Sequence, residues 1–190
     1  KRSSETFKFG FWRPFQIAFI LMNLNSMNNK KSDDRKIMDL IWFPTGGGKT
    51  EAYLGLSAFT ILLRRIKNKD DAGTVILMRY TLRLLTTQQY ERASSLICAL
   101  EHIRAEHPEK FGTKRITIGL WVGDSLTPNK ESDAFKNLKE IQKNKETKNV
   151  SVVLKCPWCG ASMQTYLDDT NEKHKYARTP GYELGPTNTI

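Results

Sequence analysis

The sequence predicts an α/β domain in which a parallel sheet is covered by helices on both faces. Three observations support this prediction. Short apolar runs alternate with longer helical patterns, a glycine-rich turn joins one such run to a helix, and the lengths suit right-handed strand–helix–strand crossovers. With 39% hydrophobic and 26% charged residues, the chain of 190 residues has the composition of a folded domain. An intrinsically disordered chain is thereby excluded.

Three helices are predicted where apolar residues recur at helical spacing. They lie at Pro14–Leu24, Glu51–Ile66 and Leu82–His107. Pro14 suits the first turn of a helix, and Pro108 ends the third helix. The apolar runs between the helices predict strands, because a strand buried on both faces of a parallel sheet is apolar at nearly every position. These runs are residues 37–43, 74–78 and 115–122, and a further short strand is predicted at 150–154.

The net charge of the chain indicates which classes of partner it favours. Thirty Lys and Arg residues against 20 Asp and Glu residues give a net charge of +10, most of it in residues 1–115. A basic domain favours polyanionic partners, because neutralised phosphates release counterions, but a solubilising surface explains the charge equally well. No apolar run reaches the roughly 18 residues that a membrane span needs, so no membrane partner is expected. Because the sequence begins at Lys1 without a signal-peptide pattern, we expect it to be part of a longer chain.

The strongest motif is segment 43–50, Phe-Pro-Thr-Gly-Gly-Gly-Lys-Thr, between a predicted strand and a predicted helix. Glycines let consecutive backbone N–H groups face a phosphate that a Cβ would crowd, and the helix dipole favours an anion at the same point. Lys49 is predicted to contact the β- and γ-phosphates of ATP and Thr50 to bind Mg²⁺, so these two are the predicted catalytic residues. The predicted nucleotide-binding residues of this segment are Thr45, Gly46, Gly47, Gly48, Lys49, Thr50 and Glu51. The alternative is a glycine-rich turn that binds no ligand.

A second candidate site is the pair Cys156 and Cys159 in the segment Cys-Pro-Trp-Cys-Gly. Two thiolates at this spacing on a tight turn can share one tetrahedral ion, so the pair predicts half of a zinc ribbon. A structural Zn²⁺ site needs four ligands, and His174 is either a third ligand or a solvated side chain. A redox pair would need a thioredoxin-like unit, which nothing in the sequence supports. Cys98 is predicted to belong to the core, and the cysteine usage favours a reducing compartment.

The sequence resembles the superfamily 2 helicases. Residues 44–50 are similar to motif I of that family, although Phe43 stands where the general phosphate-loop pattern has Gly. The segment Arg13-Pro-Phe-Gln16 resembles the family's Arg-Pro-Tyr-Gln box, which implies nucleotide contacts from Arg13 and an adenine contact from Gln16. Residues 78–88 are similar to motif Ia. That similarity implies DNA-backbone contacts, although arginines here could equally be solvated or paired; the implied residues are Arg79, Thr81 and Arg83.

At finer detail, residues 40–55, 78–88 and 119–123 and the cysteine segment are similar to the helicase of DISARM-type bacterial anti-phage systems. The resemblance implies that residues 1–123 form an incomplete RecA-like nucleotide-binding domain. Residues 124–190 would then be a Lys-rich insertion with the cysteine pair and a polar tail. The implied protein is a large cytoplasmic DNA helicase or translocase that uses ATP and Mg²⁺. Its implied partners are single- or double-stranded DNA, a second RecA-like domain of the same parent chain and other defence-system subunits.

Two other functions stay open at the level of sequence. No acidic pair that would polarise the attacking water follows a predicted strand, so the chain alone is expected to hydrolyse ATP slowly or not at all. The alternative function is therefore a zinc-bearing module that binds nucleic acid or a partner protein and uses ATP only as a conformational switch. A small-molecule P-loop kinase is disfavoured, because residues 13–16 and 81–88 would have no role in it.

Overall fold

The computed structural model describes residues 10–44, 46–80, 83–122, 128, 130–142, 153–163, 166–167 and 177–178. The chain divides into two compact units. The first comprises Lys1–Leu77 and Ile103–Arg115, and the second comprises Met78–His102 and Ile116–Ile190. The predicted boundary between residues 123 and 124 stays a prediction, since residues 123–127 lie outside the described part.

The first unit is built on two long helices and two short helical turns. Helix α1 spans Pro14–Asn28, a 3₁₀ turn spans Asp33–Lys36, α2 spans Lys49–Lys67 and α4 spans Pro108–Phe111. Pro14 opens α1, where its missing N–H costs no hydrogen bond. Basic residues in the last turn of α2 complement the negative end of its dipole. Helices α1 and α2 pack against each other.

The interior of the first unit mixes apolar and polar side chains. Ala52, Ile61 and Phe111 are buried apolar residues. The guanidinium of Arg65 is also buried, and it donates hydrogen bonds to the carbonyl oxygens of Lys69 (3.2 Å) and Arg115 (3.0 Å). A buried charge is tolerated only when such hydrogen bonds satisfy it, so Arg65 fastens the end of α2 to residue 115.

The second unit contains most of a long helix and smaller elements. Helix α3 spans Arg83–Glu106, α5 spans Glu131–Gln142, and the strands β1 and β2 span Tyr166–Leu167 and Ala177–Arg178. The two strands pair antiparallel, Tyr166 with Arg178 and Leu167 with Ala177. Leu138 of α5 is fully buried. The Glu101 carboxylate accepts a hydrogen bond from the backbone N–H of Ile116 at 2.9 Å, which ties α3 to the segment after residue 115.

The predicted parallel α/β sheet is wrong for the described part of the chain. Residues 37–43, 74–78 and 115–122 carry no strand assignment, and the strands that the structure does describe form one two-stranded antiparallel pair. Apolar composition predicts burial, but a strand also needs a neighbouring backbone for its N–H and C=O groups. Here several large side chains of these runs face solvent instead: Trp42 is 87% exposed and Trp121 fully exposed, although Ile116 is buried.

The three long helices are where the sequence predicts them. The predicted helices at residues 14–24, 51–66 and 82–107 correspond to α1, α2 and α3, with ends shifted by four residues at most. The helices were predictable because helical hydrogen bonds join residues four apart in sequence. A β-sheet needs hydrogen bonds to a strand that can lie far away in sequence.

Candidate phosphate-binding site

The glycine-rich segment of residues 46–48 forms a tight turn directly before α2. The N–H of Gly47 donates to the Pro44 carbonyl at 3.0 Å. Gly46 and Gly48 have φ angles of 78° and 90°, in the left-handed region that favours glycine. Gly48 is the residue that precedes the first turn of α2, so the turn delivers the chain to a helix N-terminus. This combination of left-handed glycines and helix dipole suits an anion.

The two predicted catalytic side chains lie in the first turn of α2. The Nζ atom of Lys49 contacts the Phe43 carbonyl oxygen and lies 3.1 Å from the Pro44 carbonyl oxygen. The Thr50 hydroxyl shares a hydrogen bond of 3.0 Å with the Tyr53 hydroxyl. The Lys49 ammonium group therefore contacts backbone carbonyl oxygens of its own loop. A phosphate bound at the turn would attract this group more strongly than the carbonyls do, because the phosphate carries full negative charge.

Arg13 and Gln16, at the start of α1, reach this turn. The Arg13 guanidinium donates to the Gly47 carbonyl at 2.9 Å, and the Gln16 amide nitrogen donates to the Gly48 carbonyl at 2.7 Å. The Gln16 amide oxygen accepts the Arg13 backbone N–H, also at 2.7 Å. The sequence paired these residues with the phosphate loop only through a family resemblance; here both touch the backbone of the loop.

Aromatic contacts that the sequence did not predict join the start of α1 to Phe43 before the loop and to α2. The Phe15 and Phe43 rings stack with centroids 3.9 Å apart and an interplanar angle of 17°. A Cβ added at Gly55 would lie 2.8 Å from the Trp12 ring and 3.1 Å from the Ile20 side chain. A glycine inside an otherwise apolar helix was the available signal, since it often marks close approach of another element.

Several predicted site residues lie beyond what the structure describes. Thr45 and Thr81 are outside the described residues, and only the backbone of Arg83 is described, within α3. Arg79 is exposed. Glu51 is exposed in the first turn of α2, with its carboxylate on the Gly48 side of the helix. The predicted DNA contacts of residues 79, 81 and 83 therefore stay predictions.

The cysteine pair sits on a small hairpin in the second unit. The Gly160 N–H donates to the Cys156 carbonyl at 2.9 Å, the Cys156 N–H donates to the Ala161 carbonyl at 2.8 Å, and Gly160 has a φ of 73°. This turn packs on α3. The Ser95 hydroxyl donates to the Pro157 carbonyl at 3.0 Å, and the Trp158 ring meets the His102 ring edge-on at 5.5 Å.

The hairpin presents two thiols suited to a metal. Hydrogen bonds from the backbone N–H groups of Cys159 and Trp158 lower the pKa of the Cys156 thiol, which favours the thiolate that binds Zn²⁺. Burial, and secondarily the nearby Cys156, raises the pKa of the Cys98 thiol, but the residue is half-buried and does not belong to the buried core of the described residues. Among the residues that the structure describes, no group of three His, Cys, Asp or Glu side chains comes together to hold an ion. The residues present thus fit half of a tetrahedral site.

Comparison with known proteins finds a relative across most of the chain. Over 165 residues, or 82% of this chain, the sequence is 46% identical to a protein of Bacillus paralicheniformis named DISARM protein DrmA. The chain is similar to DrmA. The match spans 15% of the length of that DrmA. No protein-family model matches the chain, and no solved structure matches it.

The similarity to DrmA confirms the DISARM resemblance that the motifs indicated. Membership of the helicase superfamily stays a prediction, since the name DrmA does not state an activity. Within the described part of the chain, none of the helices combines the length and the apolar character needed to cross a bilayer. A cytoplasmic location remains an expectation.

Proposed function

We propose that this chain binds ATP and Mg²⁺ at residues 46–50 and belongs to a DISARM ATPase that acts on DNA in anti-phage defence. One observation carries the proposal. Two left-handed glycines lie at the N-terminus of a 19-residue helix, and the turn they form is fixed by Arg13 and Gln16. Similarity to DrmA supports the defence role and other DISARM subunits as partners.

The chemistry of the proposed site follows from its residues. Lys49 would exchange the carbonyl oxygens of residues 43 and 44 for the β- and γ-phosphates, and Thr50 would turn its hydroxyl from Tyr53 to Mg²⁺. Bound Mg²⁺ would neutralise charge on the phosphates. The sequence contains no acidic pair after a predicted strand that would orient the attacking water, so this chain alone would bind ATP with little turnover.

Replacement of Lys49 tests the binding step. We expect Lys49→Ala to weaken binding of a fluorescent ATP analogue by at least about tenfold, because a charge-assisted contact contributes roughly 1.5–3 kcal/mol. Lys36→Ala is the matched control: it removes the same charge from an exposed lysine paired with Asp33 in the 3₁₀ turn. Equal affinity of the Lys49→Ala variant and the parent chain for the ATP analogue would contradict the proposed nucleotide site.

DNA-stimulated turnover tests the activity. ATP hydrolysis should be measured in a DrmA-length protein that carries this chain, with and without single-stranded DNA, beside its Lys49→Ala variant. Stimulation by DNA that disappears in the variant supports a motor on nucleic acid. Turnover that ignores DNA supports the alternative function, a module that uses ATP as a switch.

The cysteine hairpin favours that alternative as a second candidate. Its two thiols, with the thiolate of Cys156 stabilised by backbone N–H groups, would supply half of a Zn²⁺ site. Measured zinc content of the purified DrmA-length protein, compared with its Cys156→Ser variant, tests this assignment. Stoichiometric zinc that the variant loses supports it, and equal zinc content in both proteins contradicts it.

A further inference from the structure

We propose that a Zn²⁺ ion joins the cysteine hairpin to helix α3, with one cysteine and one histidine of α3 completing the site that the hairpin begins. The four proposed ligands are Cys98, His102, Cys156 and Cys159. The inference rests on the proposed zinc module and supplies the half of its ligand set that the hairpin lacks. Three cysteines and one histidine are one of the sets that hold structural Zn²⁺ in proteins.

Cys98 and His102 lie on one face of α3. Residues four apart in an α-helix are neighbours on the helix surface, so the thiol and the imidazole stand one turn apart. The Cys98 side chain is half-buried, and the His102 side chain is exposed. This spacing is the one at which two ligands on a helix bind the same Zn²⁺ ion. The helix therefore offers a second pair of donors.

The hairpin packs on the same face of α3. The Ser95 hydroxyl donates to the Pro157 carbonyl at 3.0 Å, and the His102 and Trp158 rings meet edge-on with centroids 5.5 Å apart. Ser95 and His102 lie one turn before and one turn after Cys98, so the two contacts bracket the Cys98 thiol. Pro157 and Trp158 are the two residues between the hairpin cysteines. The two pairs of donors therefore belong to surfaces that touch.

The electrostatics of the thiols agree with this placement. Burial, and then the charge of Cys156, raises the pKa of the Cys98 thiol, so these two sulfur atoms are neighbours. The pKa of Cys156 is lowered by the backbone N–H groups of Cys159 and Trp158 and then by the Cys159 side chain. A bound cation deprotonates a coordinating thiol outright, so the raised pKa of Cys98 is compatible with a role as ligand.

The site closes only when the metal binds. In the described structure no three His, Cys, Asp or Glu side chains meet at one point, so the two pairs of donors are still apart. The Trp158 ring, which is about half exposed, lies against the His102 imidazole. Binding of Zn²⁺ would turn this ring away from the imidazole and draw the hairpin onto α3. Zinc would thereby tie the hairpin to the longest helix of the described chain.

Labelling of the thiols in the unaltered chain tests the ligand set, because the chain has three cysteines and the proposal uses all of them. Alkylation by iodoacetamide should be followed peptide by peptide, with and without one equivalent of Zn²⁺. We expect Zn²⁺ to slow the labelling of all three cysteines. Protection of the two hairpin cysteines alone would overturn the inference and leave the zinc module standing. Protection of none of them would contradict both.

Substitutions of His102 separate a ligand from a packing residue. Affinity for Zn²⁺, measured by competition with a colorimetric chelator, should fall at least about tenfold in His102→Ala and in Cys98→Ser, since even groups that only orient a ligand contribute this much. His102→Cys should keep most of the affinity, because a thiolate also binds Zn²⁺. Unchanged affinity in His102→Ala, or an equal loss in His102→Cys, would overturn the inference. The labelling experiment decides the matter even if Cys98→Ser does not fold.

His107→Ala is the matched control for the loss of an imidazole. His107 lies just beyond the end of α3, and its Nδ1 atom is 3.6 Å from the Glu109 carboxylate. We expect His107→Ala to bind Zn²⁺ as the parent chain does, and an equal loss in His107→Ala and His102→Ala would contradict the assignment. His174, the other histidine considered from the sequence, lies outside the described residues. Loss of zinc in His174→Ala but not in His102→Ala would also overturn the inference.

Discussion

Gly112 shows how a single backbone position can be fixed by its neighbour. Its φ is 79°, and a Cβ built there would lie 2.2 Å from the carbonyl oxygen of Lys69. The buried Arg104 guanidinium donates to the Gly112 carbonyl at 2.9 Å, which holds the residue in place. The Lys69 backbone cannot move aside as a flexible side chain can. Position 112 therefore requires glycine for two reasons, its left-handed φ and the lack of room for a Cβ.

We therefore expect Gly112→Ala to lower the free energy of unfolding by about 1–3 kcal/mol, through left-handed strain and overpacking against Lys69. Urea denaturation measures the change. Gly119→Ala is the control, since its added Cβ meets nothing within 4 Å. Equal stability of the two variants would contradict the argument.

At the candidate site, features that depend on local residue properties were predictable from the sequence, and contacts between distant residues were not. The order of Gly46, Gly48 and Lys49 before a helical pattern was enough to predict a tight glycine turn at a helix N-terminus, because glycine's conformational freedom is a local property. That the turn binds phosphate stays a prediction. The hydrogen bond from Gln16 to Gly48 was not predictable, since it joins residues 32 apart and depends on how α1 packs. The same holds for the stacking of Phe15 on Phe43.

At the scale of elements, α2 ends in a polar clasp. The Arg64 guanidinium makes two hydrogen bonds, of 2.7 and 2.8 Å, to the Asp71 carboxylate, and a third to the Thr74 carbonyl at 3.1 Å. The hydrogen bond from Arg64, followed by that from the Gly73 N–H, lowers the pKa of Asp71 below its usual 3.8. The clasp thus depends on an ionised carboxylate.

The clasp makes stability depend on pH with a definite sign. A carboxyl group whose folded pKa is lowered stabilises the fold at pH above 3.8 and loses that contribution as pH falls through its folded value. We expect Asp71→Asn to be less stable than the parent chain at pH 7, with the difference vanishing in strong acid. Thermal unfolding across this range measures it, with the exposed neighbour replaced in Asp70→Asn as the control. A difference that persists unchanged at the lowest pH would contradict the mechanism.

Helices and strands differed in how far the sequence could place them. The periodicity of α1, α2 and α3 placed these helices to within a few residues, because each satisfies its own backbone. Residues 37–43 have an equally clear apolar pattern, but they form no ladder in the described part. Pairing requires a second segment at the right distance and register, and apolar composition does not specify one.

At the scale of the whole molecule, the described part of the chain leaves large apolar side chains in water. They come mainly from α1 and from the extended runs that the sequence predicted as strands. Among them are Met38, Leu40, Trp42, Leu77 and Trp121. Scattered exposure of single apolar residues is common, but runs of this kind are unusual for a folded domain surface.

Tryptophan fluorescence measures this exposure. Trp42 and Trp121 are nearly or fully exposed, and Trp12 and Trp158 are about half exposed. We expect emission close to that of free tryptophan and strong quenching by acrylamide. Removing the two most exposed rings, as Trp42→Phe with Trp121→Phe, should shift the remaining emission to shorter wavelength. Blue-shifted, poorly quenched emission from the parent chain would contradict the exposure.

The contacts from Arg13 and Gln16 to the glycine turn join residues 34 and 32 apart in sequence. Contacts of such separation form only after the intervening chain has closed, whereas a helix turn forms within its own segment. Helix α2 can therefore appear early in folding, while the hydrogen bonds from Arg13 and Gln16 to the turn before it form only once α1 has docked. If the proposed anion site needs those hydrogen bonds, the time at which it becomes able to bind during refolding reports the meeting of these two helices.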